Sequence, residues 1–350
     1  MVEVFVPSHI TGFFSIIEND DLLIKGSLGV GVLLDKGVIT QMNSVNEMDD
    51  SLNLYFGDNL AILINSKQDS HNQNIILKIF ELMLEDLVDF REKFEKFSKE
   101  DSYILINQKI EVPIGCGFGT SAGSAIGTAI CINEFFNLGL TIEECGKYAH
   151  LAEVSFGSGL GDVIAELSTG IVKRTKPGAP GVGEVVSVGL DEDLYVLSKT
   201  FDEIETASII ENDNHKKIIT KVGSKLIKEF DNNPTAQKFM DCSFKFAKET
   251  NLITKDILDI CDKLESKTLG VSMAMLGNTA FALLNEPQKI AILEDNILDE
   301  SYEIYKLETD GIKIFKDYIY PYTENTNLNF KSKSEKYITK LRVVKYFLPV

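Results

Sequence analysis

Between residues 110 and 129 the chain reads IEVPIGCGFGTSAGSAIGTA, a strand-like run that becomes a run of small helix formers through Gly115, Gly117, Gly119 and Gly123. The first-turn N–H groups of a helix have no intrahelical partner, and the helix dipole adds partial positive charge there. A strand, a glycine loop and a helix N-terminus therefore make an anion site. The glycines permit close approach of backbone to a phosphate, and Thr120 and Ser121 offer hydroxyls to a phosphate or a magnesium ion. A P-loop is excluded because the segment has no lysine. The dinucleotide fingerprint fits poorly: its acidic residue should end a second strand about 20 positions on, whereas Glu143 and Glu144 sit where a helix begins. Taken alone, the loop is also open to a structural reading, a turn of small residues that lets a helix pack closely.

A second group of residues bears on that choice. HLAEVSFGSGLGDVIAEL, residues 150 to 167, carries Glu153 on a helix, another glycine turn, and Asp162 ahead of an apolar run. Phosphoryl transfer needs a carboxylate to hold magnesium and a group that orients or deprotonates the attacking hydroxyl, and Glu153 and Asp162 supply those types. Taken singly, each also reads as a solvated helix carboxylate or a turn aspartate.

At 350 residues the chain exceeds the size of one ordinary core, so two lobes or one large α/β unit are expected. A net charge of −18 disfavours a nucleic-acid partner, whose phosphates require clustered cations. No stretch approaches the ~18 apolar residues of a membrane helix. The N-terminal MVEVFVPSHI lacks the basic and apolar regions of a secretory signal, so a cytoplasmic protein is expected. Five scattered cysteines without a CxxC pair suggest neither a disulfide framework nor a zinc site.

Along the chain, VEVFVP, GVGVLL, GVITQM, LNLYFG and LAILIN read as strands of a mixed or antiparallel sheet. NQNIILKIFELMLEDLVDFREKFEKF reads as one long amphipathic helix, and YILINQKIEVPI as a strand entering the glycine loop. Two helices follow, the second capped by Thr141 with Glu144 completing a capping box. The breaker-rich PGAPGVG, residues 177 to 183, suggests a lobe boundary. Three helical stretches and the strands GVSMAML and TAFALLN then form a helical cluster backed by a sheet. The tail from 319 is basic against an acidic body and reads as an extension.

PIGCGFGTSAGSA resembles the second motif of the GHMP kinases, P-x-G-x-G-L-G-S-S-A. Pro113, Gly115, Gly117, Gly119, Ser121 and Ala122 match it, while Phe118 and Thr120 are conservative departures. VPSHITGFFSI, KGSLGVGVLL, AEVSFGSGLGDVIAE, RTKPGAPG and SMAMLGNTAF narrow the resemblance to the archaeal pantoate kinases over residues 4 to 318. It implies an α+β, two-lobed fold: a ribosomal S5 domain 2-like N-terminal lobe over 1–180, a ferredoxin-like C-terminal lobe over 181–318, and the extension 319–350. It also implies phosphorylation of the 4-hydroxyl of pantoate by ATP with Mg2+, a step toward coenzyme A, with no nucleic-acid or membrane partner and a homodimer as a possible assembly.

Carried over by position, Pro113, Gly115, Gly117, Gly119, Thr120, Ser121 and Ala122 serve the ATP phosphates, and Ser121 and Glu153 the metal. Asp162 orients or deprotonates the hydroxyl. Ser27, His150, Arg174 and Thr206 are the implied substrate contacts. Arg174 suits the carboxylate because a planar guanidinium donates two parallel hydrogen bonds. The alternative is an exposed basic strand end made of Lys173, Arg174 and Lys176. His150 shares a helix face with Glu153, whereas His9, His71 and His215 offer no such neighbourhood. Two departures stand out: Ser8 where a glycine is usual after Pro7, and a third motif reduced to Gly277. Kinases of homoserine, shikimate or a mevalonate derivative remain open, as does a non-catalytic nucleotide- or metabolite-binding regulator.

Overall fold

The computed structural model describes residues 1–68, 70–100, 102–189, 193–201, 213–295, 297–316 and 342–345. The chain opens with β1 (Val2–Ile17), β2 (Gly26–Val45), β3 (Leu54–Tyr55) and β4 (Leu60–Ile64), followed by α1 (Ser70–Asp86), α2 (Val88–Phe97) and β5 (Tyr103–Ile110). The glycine loop leads into α3 (Thr120–Phe136), then α4 (Ile142–Phe156), α5 (Asp162–Glu166), β6 (Ile171–Lys176) and β7 (Glu184–Val188). Beyond these lie β8 (Leu194–Thr200), α6 (Asp213–Asp231), α7 (Ala236–Glu249) and α8 (Lys255–Leu264). The last elements are β9 (Gly270–Met273), β10 (Thr279–Asn285), α9 (Glu286–Glu294), β11 (Tyr302–Lys306), β12 (Lys313–Lys316) and β13 (Arg342–Lys345).

Two sheets organise the molecule. The first runs β13-β12-β1-β2-β5-β4-β3, with β6 paired to the first part of β2 and β7 to β6; the second runs β11-β8-β10-β9. β1 and β2 are antiparallel over nearly their whole lengths, with register shifts at Pro7/His9 and Thr11/Phe13. These shifts re-aim the side chains of the middle of β1, and Ser8, the departure beside Pro7, lies at the first of them with its hydroxyl buried and unpartnered. The PGAPGVG breakers form the turn between the paired strands β6 and β7. The chain passes to the second sheet at β8 and returns to the first for β12.

The capping box at Thr141 forms, with Thr141 Oγ1 accepting from the Glu144 N–H and the Glu144 carboxylate accepting from the Thr141 N–H. The long amphipathic stretch, read as one helix, is two. Leu87 is extended (φ −101°, ψ 101°) between α1 and α2, and the Arg91 guanidinium donates to the carbonyls of Leu84 and Glu85 at 3.0 and 2.9 Å. Those bonds satisfy two of the carbonyls left open at the end of α1.

Helix α3 crosses the first sheet with almost no separation, and glycine makes this possible. A Cβ at Gly123 would lie 2.9 Å from Val38 Cγ2, and one at Gly127 would lie 2.4 Å from Thr40 Oγ1. With Gly119 these positions recur every four residues and form one bare face of the helix. Phe13 of β1 packs against Phe230 of α6 and Phe239 of α7, with ring centroids at 5.9 and 6.2 Å. The middle of β1 is thereby clamped between the helical cluster and the elements of the first sheet.

Candidate active site

Three glycines of the loop adopt the left-handed conformation that side chains resist: Gly115 (φ 71°), Gly117 (φ 89°) and Gly119 (φ 69°). Gly119 is the N-cap of α3 and provides no side-chain cap, so the first N–H groups of a 17-residue helix are left for a ligand. Gly123 has a different task, the close packing just described. Ala122 is fully buried, so only its backbone can serve an anion, whereas Ser121 is partly exposed at the loop's mouth.

The loop is held from both sides by the rest of the chain. The Phe118 carbonyl accepts from the His9 N–H at 3.1 Å, and the Cys116 carbonyl accepts from Thr279 Oγ1 at 2.8 Å. Gly277, the remnant of the third motif, lies flat on the loop: a Cβ there would be 2.0 Å from the Cys116 oxygen and 2.4 Å from the Gly117 nitrogen. The Met275 N–H donates to the Thr11 carbonyl at 2.9 Å, so the first, second and third motifs meet at this point.

Ser121 and Glu153, 32 positions apart, come together. Ser121 Oγ donates to Glu153 Oε1 at 2.5 Å, and Ser158 Oγ donates to the same oxygen at 2.9 Å. Burial raises Glu153 to about 7, reinforced by the charge of Asp162 and opposed by the two hydroxyls. Gly159 separates the two acids: a Cβ there would lie 2.3 Å from Glu153 Oε2 and 3.6 Å from Asp162 Oδ2. The glycine of GSGLGD therefore lets two carboxylates face each other across bare backbone.

Asp162 heads α5. Its Oδ1 accepts from His9 Nδ1 at 2.7 Å and from Thr11 Oγ1 at 3.4 Å. Burial alone would raise the acid, but the His9 hydrogen bond and charge, then Arg174 and Thr11, outweigh it and leave Asp162 below the usual aspartate range. His9 in turn is lowered, chiefly by its complete burial. The reading of His9 as a histidine without a functional neighbourhood is corrected here: it is the direct partner of Asp162. Thr11 is a second residue that sequence reasoning missed. It shares the polar face of β1 with His9 at i, i+2 spacing, and that pair of polar residues in a largely apolar strand was the available signal.

Arg174 is 2% exposed, so it does not belong to a solvated basic strand end. Lys176 does lie at the surface, and Lys173 pairs with Asp231. The Arg174 Nη1 donates to Thr11 Oγ1 at 3.3 Å, and its Nε is buried without a partner. Thr11 thus links guanidinium to carboxylate, accepting from one and donating to the other. Ser27, also buried, donates to the Leu160 carbonyl at 3.3 Å. A Cβ at Gly161 would be 2.4 Å from Ser27 Oγ and 2.7 Å from Arg174 Nε, which places both side chains against the backbone next to Asp162.

His150 stands apart from this group. Its Nε2 is 3.0 Å from the Leu22 carbonyl, so its ring holds the β1–β2 connection. Thr206 lies outside the described residues.

A magnesium ion suits the donor set. Ser121, Ser158 and Glu153 offer oxygen, as that hard cation requires, and no cationic side chain engages Glu153 among the described residues. The described residues hold no cluster of three or more His, Cys, Asp or Glu side chains suited to a metal. An ion here would rest on few protein ligands plus phosphate oxygens and water, the usual habit of magnesium.

Comparison with known proteins agrees with this geometry. Residues 74–170 match the family model described as the GHMP kinases N terminal domain. The chain is 34% identical over 301 residues to a pantoate kinase of Methanocaldococcus jannaschii, covering 85% of this chain and 99% of the relative. It is 30% identical over 320 residues to a pantoate kinase of Thermococcus kodakarensis, covering 90% and 98%. A solved structure described as a phosphotransferase related to the CoA biosynthesis pathway superposes with a TM-score of 0.74 at 28% identity, over 89% of this chain and 98% of that one. The fold is accordingly the two-lobed fold of these ATP-dependent small-molecule kinases, and the chain belongs to the pantoate kinase family of the GHMP kinases.

Proposed function

We propose that this protein phosphorylates the 4-hydroxyl of pantoate from ATP. One observation supports that reading above the others: Arg174 is a fully buried guanidinium with an unpartnered Nε, no carboxylate within ion-pair distance among the described residues, and a hydroxyl bridge to Asp162. A buried cation of this kind calls for an anion. A small hydroxy acid provides one, and seating its carboxylate on Arg174 and Ser27 brings a hydroxyl toward Asp162.

On this reading the N–H groups from Gly115 to Ala122 hold the ATP phosphates, with Pro113 and Thr120 shaping the loop. Ser121 and Glu153 hold Mg2+, which when bound supplies neutralisation of phosphate charge. Asp162, held ionised and fixed by His9 and Thr11, presents Oδ2 to orient the attacking hydroxyl or accept its proton. Little covalent work is asked of the protein, and positioning with electrostatic support carries the reaction. His150 contributes by fixing the β1–β2 connection that leads into Ser27. The two lobes are assigned to residues 1–180 and 181–318, with β7 and β12 of the second stretch completing the first sheet.

The test is ADP release with ATP and magnesium against pantoate, homoserine, shikimate and mevalonate. Pantoate-dependent turnover is expected. Turnover with another acid of the panel and none with pantoate would overturn the substrate and leave the fold intact.

A further inference from the structure

Glu166 ends α5, one turn after Asp162, and takes no part in the chemistry above. It is 0% exposed, and both carboxyl oxygens are buried without a hydrogen-bond partner. Its side chain presses on the start of α3: a Cβ at Gly119 would lie 2.2 Å from Glu166 Oε1, and one at Gly123 would lie 3.4 Å from Oε2. The carboxyl therefore backs the phosphate loop from the interior.

We infer that Glu166 is a positioning residue of the nucleotide loop that works as a neutral carboxylic acid, propping Gly119 and Gly123 while setting no charge behind the bound phosphates. The inference rests on the reading of the loop as the ATP-phosphate site.

The surroundings require the neutral form. From α4 the group facing it is Glu153, and from its own helix Asp162; both are acids. From β1 comes the carbonyl oxygen of His9, 3.3 Å from the same point as Glu166 Oε1, while the His9 ring is committed to Asp162. From α3 come two glycines, and from β2 the apolar Val38 beside Gly123. The charge of Arg174 acts on Asp162. No cation faces Glu166 among the described residues, and an unpaired buried carboxylate is expensive enough that such a group takes up a proton instead. Burial first, then Asp162 and Glu153, accordingly push Glu166 well above the usual carboxylate range. An ionised Glu166 would offset the positive end of α3 and repel the phosphates that must bind there.

The experiment uses the full chain and two neutral replacements of similar size, Glu166→Gln and Glu166→Met, with Glu166→Ala as the variant that leaves a void. The infrared difference spectrum of wild type minus Glu166→Gln near neutral pH should contain the C=O stretch of a protonated carboxylic acid. By calorimetric titration, Gln and Met should keep the ATP dissociation constant within about twofold. Ala should weaken ATP about tenfold or more and leave the pantoate KM unchanged, because only the loop has lost its support. If Glu166→Ala does not fold, the spectrum and the Gln and Met titrations decide. Because folding favours the protonated acid, its stabilisation is complete below the unfolded value and is lost as pH rises through the folded one. The melting temperature of Glu166→Gln should therefore gain on wild type as pH increases. A missing protonated-acid band, or a folded Gln or Met variant that binds ATP as poorly as the Ala variant, would overturn the inference. Failure of the wild type itself to bind ATP would instead overturn the reading of the loop.

Discussion

Gly277→Ala is the most direct test of how the C-terminal sheet sets the phosphate loop. A methyl at this position would lie 2.0 Å from the Cys116 carbonyl oxygen, 2.1 Å from its carbonyl carbon and 2.4 Å from the Gly117 nitrogen. All three are backbone atoms, so no rotamer change relieves the overlap. Ordinary contact needs about 3.5 Å, so loop and turn must separate by roughly 1 to 1.5 Å. The turn is pinned by Ala274 N–H donating to the Thr279 carbonyl at 2.9 Å and by Met275 N–H donating to the Thr11 carbonyl at 2.9 Å. The loop is therefore the part that yields, together with the Thr279 to Cys116 hydrogen bond. Overpacking of this kind costs about 1–3 kcal/mol of stability, and a misplacement of about 1 Å in a reacting group costs about 100-fold in rate. Initial rates of ADP release at varied ATP should show kcat/KM for ATP down about 100-fold, some 2.7 kcal/mol of transition-state stabilisation, in a protein that still melts cooperatively. Gly189→Ala is the control, since a Cβ there meets nothing within 4 Å, and its kinetics should not change. A Gly277→Ala enzyme with wild-type kcat and KM would refute the argument that this glycine's contact holds the loop in register.

Three further outcomes are expected. Asp162→Asn should lower kcat by about 100-fold to 10,000-fold while calorimetry finds ATP affinity nearly unchanged; near-normal turnover would remove Asp162 from its role. Arg174→Lys should raise the pantoate KM about tenfold or more and leave the ATP KM alone, because an ammonium lacks the planar fork that pairs with a carboxylate; an equal rise in both would mean that Arg174 acts on the fold rather than on the substrate. In magnesium-free protein, Glu153 is raised by folding from its ordinary 4.5 to about 7. Its protonated form is the favoured one, so the stability it contributes is full below the ordinary value and lost as pH rises through about 7. Glu153→Gln should abolish a pH-dependent loss on the order of 3 kcal/mol, seen as a smaller fall in melting temperature between acidic and mildly alkaline buffer; an unchanged fall would contradict the assignment.

What could be read in the sequence, and what could not, follows from how far apart interacting residues lie. The strands, the capping box at Thr141 and the junction from β5 into α3 are local events, governed by periodicity, capping and backbone freedom, and they are present in the structure, except that GVGVLL and GVITQM join in the single strand β2 and LNLYFG leaves only the short β3. The break at Leu87 was hidden because apolar spacing continues across it; what permits it is the reach of Arg91 back to two carbonyls, a tertiary detail with no composition signature. His9 illustrates the harder case. It lies 153 positions from Asp162 in a largely apolar strand, so its spacing with Thr11 marks a polar face while nothing local says what that face meets. The register shifts in β1 turn it, and a fold-level contact gives it meaning.

Glycine shows why motif reading both succeeds and falls short. Gly115, Gly117 and Gly119 are legible as phosphate-loop residues because positive φ is a local demand. Gly123, Gly159, Gly161 and Gly277 answer a nonlocal one: each lies where another part of the chain must touch bare backbone, respectively β2, the pair of acids, the Ser27 and Arg174 side chains, and the loop itself. The same motifs therefore contain two kinds of glycine, and alanine substitution should separate them. At Gly119 a methyl meets both a left-handed φ of 69° and the Glu166 carboxyl at 2.2 Å. At Gly277 it meets sterics alone. The apparent loss of glycine from the third motif is thus a reduction to the one position of that motif that lies flat on the backbone of the phosphate loop, and the conformational demand has stayed with the second.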